Sequence, residues 1–277
     1  MARDRSVACA GFAAIFIALW LAPVSETAAA ASKKRSNSTC AAWSDDFTGN
    51  TINANLWAIG NGRAPGYLPG EHSGLYQPDH VAIANGQLSM LLTQEQGLVD
   101  GAFGVVSRGA LLSSLIKCGY GTYQWTMRMS STAASSSNPG VPVSGSVSAG
   151  FLYVNNSETE IDVEFSGQDT NTLHLSNWLN RRPSRDPIAA DETHTALQPF
   201  DSTSGFHTYK VLWQPGRVSY FIDGLLRAEH TSNVPSAPAY FMINHWGTDS
   251  ARWGGPATLG VSRYLHVDRV SYAPLGR

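Results

Sequence analysis

Along most of the chain apolar residues recur at every second position, the period of a strand with one buried face. In GYGTYQWTMRM, Tyr123, Trp125, Met127 and Met129 alternate with Thr122, Gln124, Thr126 and Arg128. HVAIANGQLSMLL carries two such alternations around Asn85-Gly86, a dipeptide that predicts a tight hairpin. FHTYKVLWQPGRVSYFIDGLLRAEH predicts three strands, broken at Gln214-Pro215-Gly216 and at Asp223-Gly224, and SRYLHVDRVSY predicts a closing strand. A 3.6-residue helical period is nowhere sustained after residue 31. The pattern is that of an antiparallel all-β protein, a sandwich of two sheets. The Ser/Gly/Pro-rich stretch 130–149 reads as a long loop within one domain, since strands of the same style continue on both sides.

The amino terminus breaks the alternation. Arg3 and Arg5 precede an apolar run from about Val7 to Val24, and small residues follow at Ala28–Ala31. A basic start, an apolar middle and a small-residue exit predict a signal peptide over 1–31, with an uncleaved membrane anchor as the alternative. Residues 32–40, polar and basic, read as a flexible leader. Residues 41–277 then form a single domain of ordinary size for an all-β fold, exported to the extracellular space or periplasm.

Composition narrows the partners. Lys and Arg total 19 against 21 Asp and Glu, a net charge of −2, so nothing electrostatic calls for nucleic acid or an anionic membrane. Eight Trp and ten Tyr exceed what a core alone invites and suggest a stacking surface. Of three cysteines, Cys9 leaves with the signal peptide. Cys40 and Cys118 remain, either one disulfide of an exported protein or two separate thiols.

The candidate chemistry lies in ETEIDVEFSG, Glu158 to Gly167. Strand periodicity puts Glu160, Asp162 and Glu164 on one face and Ile161, Val163 and Phe165 on the other. The two glutamate Cα atoms are then about 13 Å apart, and long side chains on a curved sheet can bring their carboxyls to the ~5–5.5 Å of a retaining glycosidase. Crowded carboxyls retain a proton, which general acid chemistry requires. The alternative is an exposed edge strand charged against aggregation. HExxH, paired CxxC, G-x-S-x-G and phosphate-binding glycine loops are all absent, and most of the eight His read as structural.

EIDVEF also matches the signature of glycoside hydrolase family sixteen, the β-glucanase, laminarinase and xyloglucan-transglycosylase group. WSDDFTGNTINANLW, GYGTYQWTMRM, GFHTYKVLWQPGRVSYFIDGLLRAE, FMINHWG and YLHVDRVSYAP resemble further segments of that family, so the similarity spans residues 41–275. The resemblance implies a concanavalin-like β-jelly roll of two curved antiparallel sheets with a glycan cleft on the concave face. It implies Glu160 as nucleophile, Glu164 as acid and then base, and Asp162 as assistant to Glu160. Tyr153, Trp178, Asn244 and Trp246 become substrate-binding candidates, whereas Trp213 and His207 fall at positions better read as structural. No cofactor is implied for catalysis. A structural calcium on the convex side is, with a side-chain ligand from Asp268 and backbone oxygens near Asp46 and Gly86; Asp268 as a plain surface carboxylate stays open.

The motif lacks the extra residue that laminarinase-type members carry before the second glutamate, which places the chain nearer the lichenase and transglycosylase branch. Glu158 and Thr159 stand where lichenases place Trp-Asp, and Gly60–Tyr76 departs from the family pattern at the far end of the cleft. The expected function is a secreted, monomeric, retaining endo-glycosidase that hydrolyses β-1,3/1,4-glucan or a related exopolysaccharide. A transglycosylase on a β-glucan or xyloglucan-type polymer, and a non-catalytic glycan-binding lectin, are the alternatives.

Overall fold

A computed structural model describes residues 40–68, 71–99, 101–154, 158–179 and 191–276. The signal segment 1–31 and the leader up to residue 39 lie outside the described residues. Seventeen strands and one 3-10 turn, Pro78–His80, make up the regular structure of the described residues.

One sheet runs in the order β15 (Leu225–His230), β14 (Arg217–Ile222), β13 (His207–Gln214), β8 (Gly121–Ser131) and β17 (Arg263–Pro274). Because β8 takes one edge of β17, both β6 (Gln87–Val99) and β1 (Trp43–Asp45) share the other, and β5 (Val81–Ala84) pairs with β6. The second sheet runs β12 (Glu192–Leu197), β11 (Leu173–Trp178), β10 (Glu160–Ser166), β9 (Ser146–Tyr153), β16 (Ala239–Gly247), β7 (Ala102–Cys118) and β2 (Trp57–Ile59). The long β6–β7 hairpin passes between the sheets. On it lie β4 (His72–Tyr76), parallel to β7, and β3 (Gly62–Arg63). All other pairings are antiparallel, as the hairpin signals predict. Both predicted two-residue turns use left-handed backbone, with φ of 55° and 72° at Asn85-Gly86 and 51° and 81° at Asp223-Gly224.

The core fills the space between the sheets. Ile161, Val163 and Phe165 enter it from β10, and Trp125, Val211 and Trp213 from the facing sheet. Trp213, fully buried with its indole N–H donating to the Pro235 carbonyl at 2.9 Å, is the core residue expected. The loop expected over 130–149 is shorter. β8 continues to Ser131, and Ser146–Tyr153 is a strand inside the second sheet. Its small residues are what the packing demands: a Cβ on Gly150 would stand 2.5 Å from the Trp125 indole nitrogen. Cys40 and Cys118 form a disulfide with Cα atoms 5.4 Å apart, which ties the start of the domain to the end of β7.

Candidate active site

β10 is hydrogen-bonded to β9 on one side and β11 on the other, with no register shift along either ladder. It is therefore an interior strand, and the protective edge-strand reading of its charges falls away. The unbroken register also agrees with a motif that lacks a bulge residue. Since Ile161, Val163 and Phe165 enter the core, Glu160, Asp162 and Glu164 share the opposite face of the second sheet.

Cross-strand neighbours surround each acid. Glu160 lies between Tyr153 and Trp178, Asp162 between Phe151 and Ser176, and Glu164 between Ala149 and His174. Glu160 and Asp162 are each only 8% exposed, whereas Glu164 is half-buried. The Trp178 indole donates to Asp162 Oδ2 at 3.1 Å. Burial, followed by the charges of Glu160, Glu164 and Glu192, holds the Asp162 carboxyl well above the usual carboxylate range, and the Trp178 bond offsets only part of this. The middle acid is thus the one of the three whose charged form burial and its neighbours disfavour.

The β9–β16 flank is largely apolar. Trp246 is buried in a cluster with Ala64, Tyr76, Leu111 and Val147, against which Met242 and Trp253 pack. Asn244, on the same face of β16, bonds the buried Tyr76 hydroxyl, whose pKa burial pushes far up. The segment Gly60–Tyr76 reaches this wall. Gly66, at φ 77°, lies so close to Trp246 that a Cβ would stand 3.2 Å from its ring. His72 pins the turn, bonding the Gly66 carbonyl at 2.6 Å and Ser107 Oγ at 2.7 Å. All four substrate-binding candidates therefore come to the face of the carboxylates. Tyr153, Trp178 and Trp246 are mostly covered, at 3%, 6% and 6% exposure, so they form walls more than open stacking platforms.

The β11–β12 flank is polar. His174 and His194 stack with centroids 5.3 Å apart and share a hydrogen bond of 3.1 Å between His174 Nδ1 and His194 Nε2. Trp253 meets the His174 ring edge-on at 4.7 Å. Ser176 Oγ donates to Glu192 Oε1 at 3.1 Å. Burial, then the neighbouring His194, pushes the His174 pKa down to about 4, and burial lowers that of His194. His174, His194, Glu192 and Trp253 were not singled out by sequence reasoning. The LHLS of LHLSNW does alternate, with His174 and Ser176 at its polar positions, but nothing in it or in ETHTAL says that these strands lie beside the carboxylate row.

The remaining candidates lie elsewhere. His207 bonds Asp223 Oδ2 at 2.6 Å and the Asp201 carbonyl at 2.9 Å, a structural clamp on the first sheet. Pairing of Asp45 with Val270 brings Asp46 close to Asp268 along β17, and Gln87, next to Gly86, donates to Asp268 Oδ1 at 3.3 Å. Asp268 thus neighbours the turn that holds Gly86, and Asp46 follows the last paired residue of β1. The Asp46 carboxylate is already engaged by the Thr48 hydroxyl at 2.9 Å. Among the described residues no three His, Cys, Asp or Glu side chains cluster to hold a metal. The donor set suits calcium only with backbone and water oxygens supplying most of the coordination.

Comparison with known proteins places this arrangement among relatives. The family profile described as Glycosyl hydrolases family 16 matches residues 70–263. A beta-glucanase of Paenibacillus macerans is 32% identical over 159 residues, 56% of this chain and 60% of that protein. The match thus spans about three fifths of that relative's length. One from Bacillus amyloliquefaciens is 27% identical over 230 residues, 80% of this chain and 84% of the relative. Among solved structures, the Bacillus licheniformis beta-glucanase superposes with a TM-score of 0.67 at 23% identity, covering 86% of this chain and all of that one. The laminarinase catalytic domain from Thermotoga maritima MSB8 gives 0.65 at 17% identity over 84% of this chain and 98% of that one. Identities this low establish the shared fold alone.

Proposed function

The chain belongs to the glycosyl hydrolases of family 16, and on that premise we propose that it is a retaining endo-β-glucanase acting by double displacement. One observation carries the reading: an interior strand presents Glu160, Asp162 and Glu164 on one face, with the middle carboxyl buried and pushed above the usual carboxylate range by its burial and its glutamate neighbours.

In the first step Glu160 attacks the anomeric carbon, the bond to the glycosidic oxygen breaks, and Glu164 gives its proton to the departing oxygen. In the second, Glu164 takes a proton from water, the water oxygen bonds the anomeric carbon, and Glu160 leaves as carboxylate. Asp162, anchored by Trp178, donates to the Glu160 carboxylate and is relieved of that role when Glu160 becomes an ester. The aromatic wall of Trp246 and Tyr153 and the amide of Asn244 hold the sugar chain across the strands.

The relatives' printed name, beta-glucanase, supports a β-glucan as substrate; the polymer proposed is a β-1,3/1,4-linked glucan or a related exopolysaccharide. The reading includes export through the segment 1–31, action as a monomer, and a calcium at the Asp268 edge that serves stability and not chemistry.

The test is turnover of lichenan, laminarin, xyloglucan and bacterial exopolysaccharides, with and without an added oligosaccharide acceptor. Hydrolysis of a β-glucan is expected, and Glu160→Ala should lower it roughly a thousandfold or more. Unchanged turnover in that variant would remove Glu160 as nucleophile. Products longer than the substrate would replace hydrolysis by transglycosylation.

A further inference from the structure

His174 sits in the row of the proposed acid without a task in the mechanism so far. Its Cα pairs with that of Glu164 across the β10–β11 ladder, which puts the two Cβ atoms roughly 4.5–5.5 Å apart. Nδ1 is engaged by His194, whereas Nε2 is buried and has no hydrogen-bond partner among the described residues. A buried orphan of this kind is costly, because the group has given up water without gaining a partner. Such a cost at a cleft face is offset when a ligand supplies the missing bond.

We propose that His174, backed by His194, is a specificity-determining residue that hydrogen-bonds a hydroxyl of the leaving-side sugar. This rests on the glycosidase reading above. Three features carry it. The ring is held before any ligand arrives, by the stack on His194 and the edge contact with Trp253, so little ordering remains to be done on binding. An N–H···N bond between two imidazoles needs one proton and one lone pair. If His194 Nε2 donates it, His174 Nε2 bears hydrogen and donates to the sugar; if His174 Nδ1 donates it, Nε2 accepts from the sugar. A hydroxyl satisfies either arrangement. Burial keeps the pair uncharged in neutral solution, so it does not compete with the proton that Glu164 must carry.

The side of the scissile bond follows from the two flanks. Double displacement requires the glycon to stay through both steps, while the leaving sugar must depart after the first. The wall of Trp246, Tyr76 and Leu111 on the β9–β16 flank suits the retained glycon. The polar flank of His174, His194 and Glu192 suits the sugar that leaves. A second buried orphan, Asn244 Oδ1, occupies the same row beyond Ala149, so each flank of Glu164 offers the glycan one unfilled hydrogen bond.

The experiment compares two substrates: an aryl β-oligoglucoside, which has no leaving-side sugar, and an oligosaccharide that does. In His174→Phe, which keeps the ring contacts and loses both nitrogens, kcat/KM on the oligosaccharide should fall about 10- to 100-fold further than on the aryl glycoside. His174→Gln, which restores a donor and an acceptor, should recover most of that ratio. An equal loss on both substrates, or none on the oligosaccharide, overturns the proposal. Should the Phe variant not fold, His174→Leu carries the same ratio. A wild-type protein inactive on both compounds would instead sink the glycosidase reading, and this one with it.

Discussion

Asp162 shows at the scale of one residue how this site trades stability for chemistry. Its carboxyl is buried among Glu160, Glu164 and Glu192, and its folded pKa lies well above 3.8. The folded chain therefore binds a proton that the unfolded chain releases, so Asp162 costs stability that grows as pH rises from 3.8 toward the folded value. Asp162→Asn keeps an oxygen for the Trp178 indole and removes that cost. The expected outcome at pH 7 is a higher thermal midpoint, by about 2–4 °C per kcal/mol relieved, together with at least a tenfold lower kcat. Calorimetry and initial rates check both halves; a lower midpoint would contradict the raised pKa of Asp162. The three acids were legible in the sequence because they share one strand and a period of two. His174, His194 and Glu192 were not, because they reach the same face from β11 and β12, and no spacing along the chain states which strands lie side by side.

β9 makes the same point for an element. Ser146, Ser148 and Gly150 look like loop residues, yet they lie on the core face of an interior strand. Ser148 Oγ accepts from the Ser130 amide at 3.1 Å, and Gly150 lies against Trp125. Smallness here is demanded by the facing sheet, a property of the pairing and not of the segment. The strands whose large apolar residues alternate, β8, β13, β14 and β17, were readable because their own side chains supply the core. Gly150→Ala should accordingly destabilise the fold by about 1–3 kcal/mol, since its Cβ meets an indole that has no room to retreat. Urea unfolding measures this, and a midpoint equal to wild type would show that the sheets can separate at that point.

At the scale of the molecule, buried neutral histidines join the two sheets. His245 on β16 bonds the Met90 carbonyl of β6 and Ser130 Oγ of β8, each at 2.9 Å. His230 on β15 bonds Asn177 Oδ1 of β11 at 2.6 Å and Thr195 of β12 at 2.9 Å. Burial pushes the His245 pKa down to about 3 and that of His230 to about 4. Near pH 6.5 an unfolded histidine begins to take protons that the folded one refuses, so this stability is complete above that value and is lost as pH falls toward 4 and 3. Asp162 acts in the opposite sense, gaining as pH falls, but it is one group against several. At about 1.4 kcal/mol per unit, reached only once the unfolded histidine is mostly protonated, His245 alone accounts for about 2 kcal/mol between pH 6.5 and 4.5. The thermal midpoint should therefore drop by roughly 4–8 °C over that interval at constant ionic strength. His245→Gln, which keeps a donor and an acceptor between the sheets but cannot titrate, should flatten the slope. A midpoint that stays level from pH 6.5 to 4.5 in the wild-type protein would mean that these joints accept protons without opening.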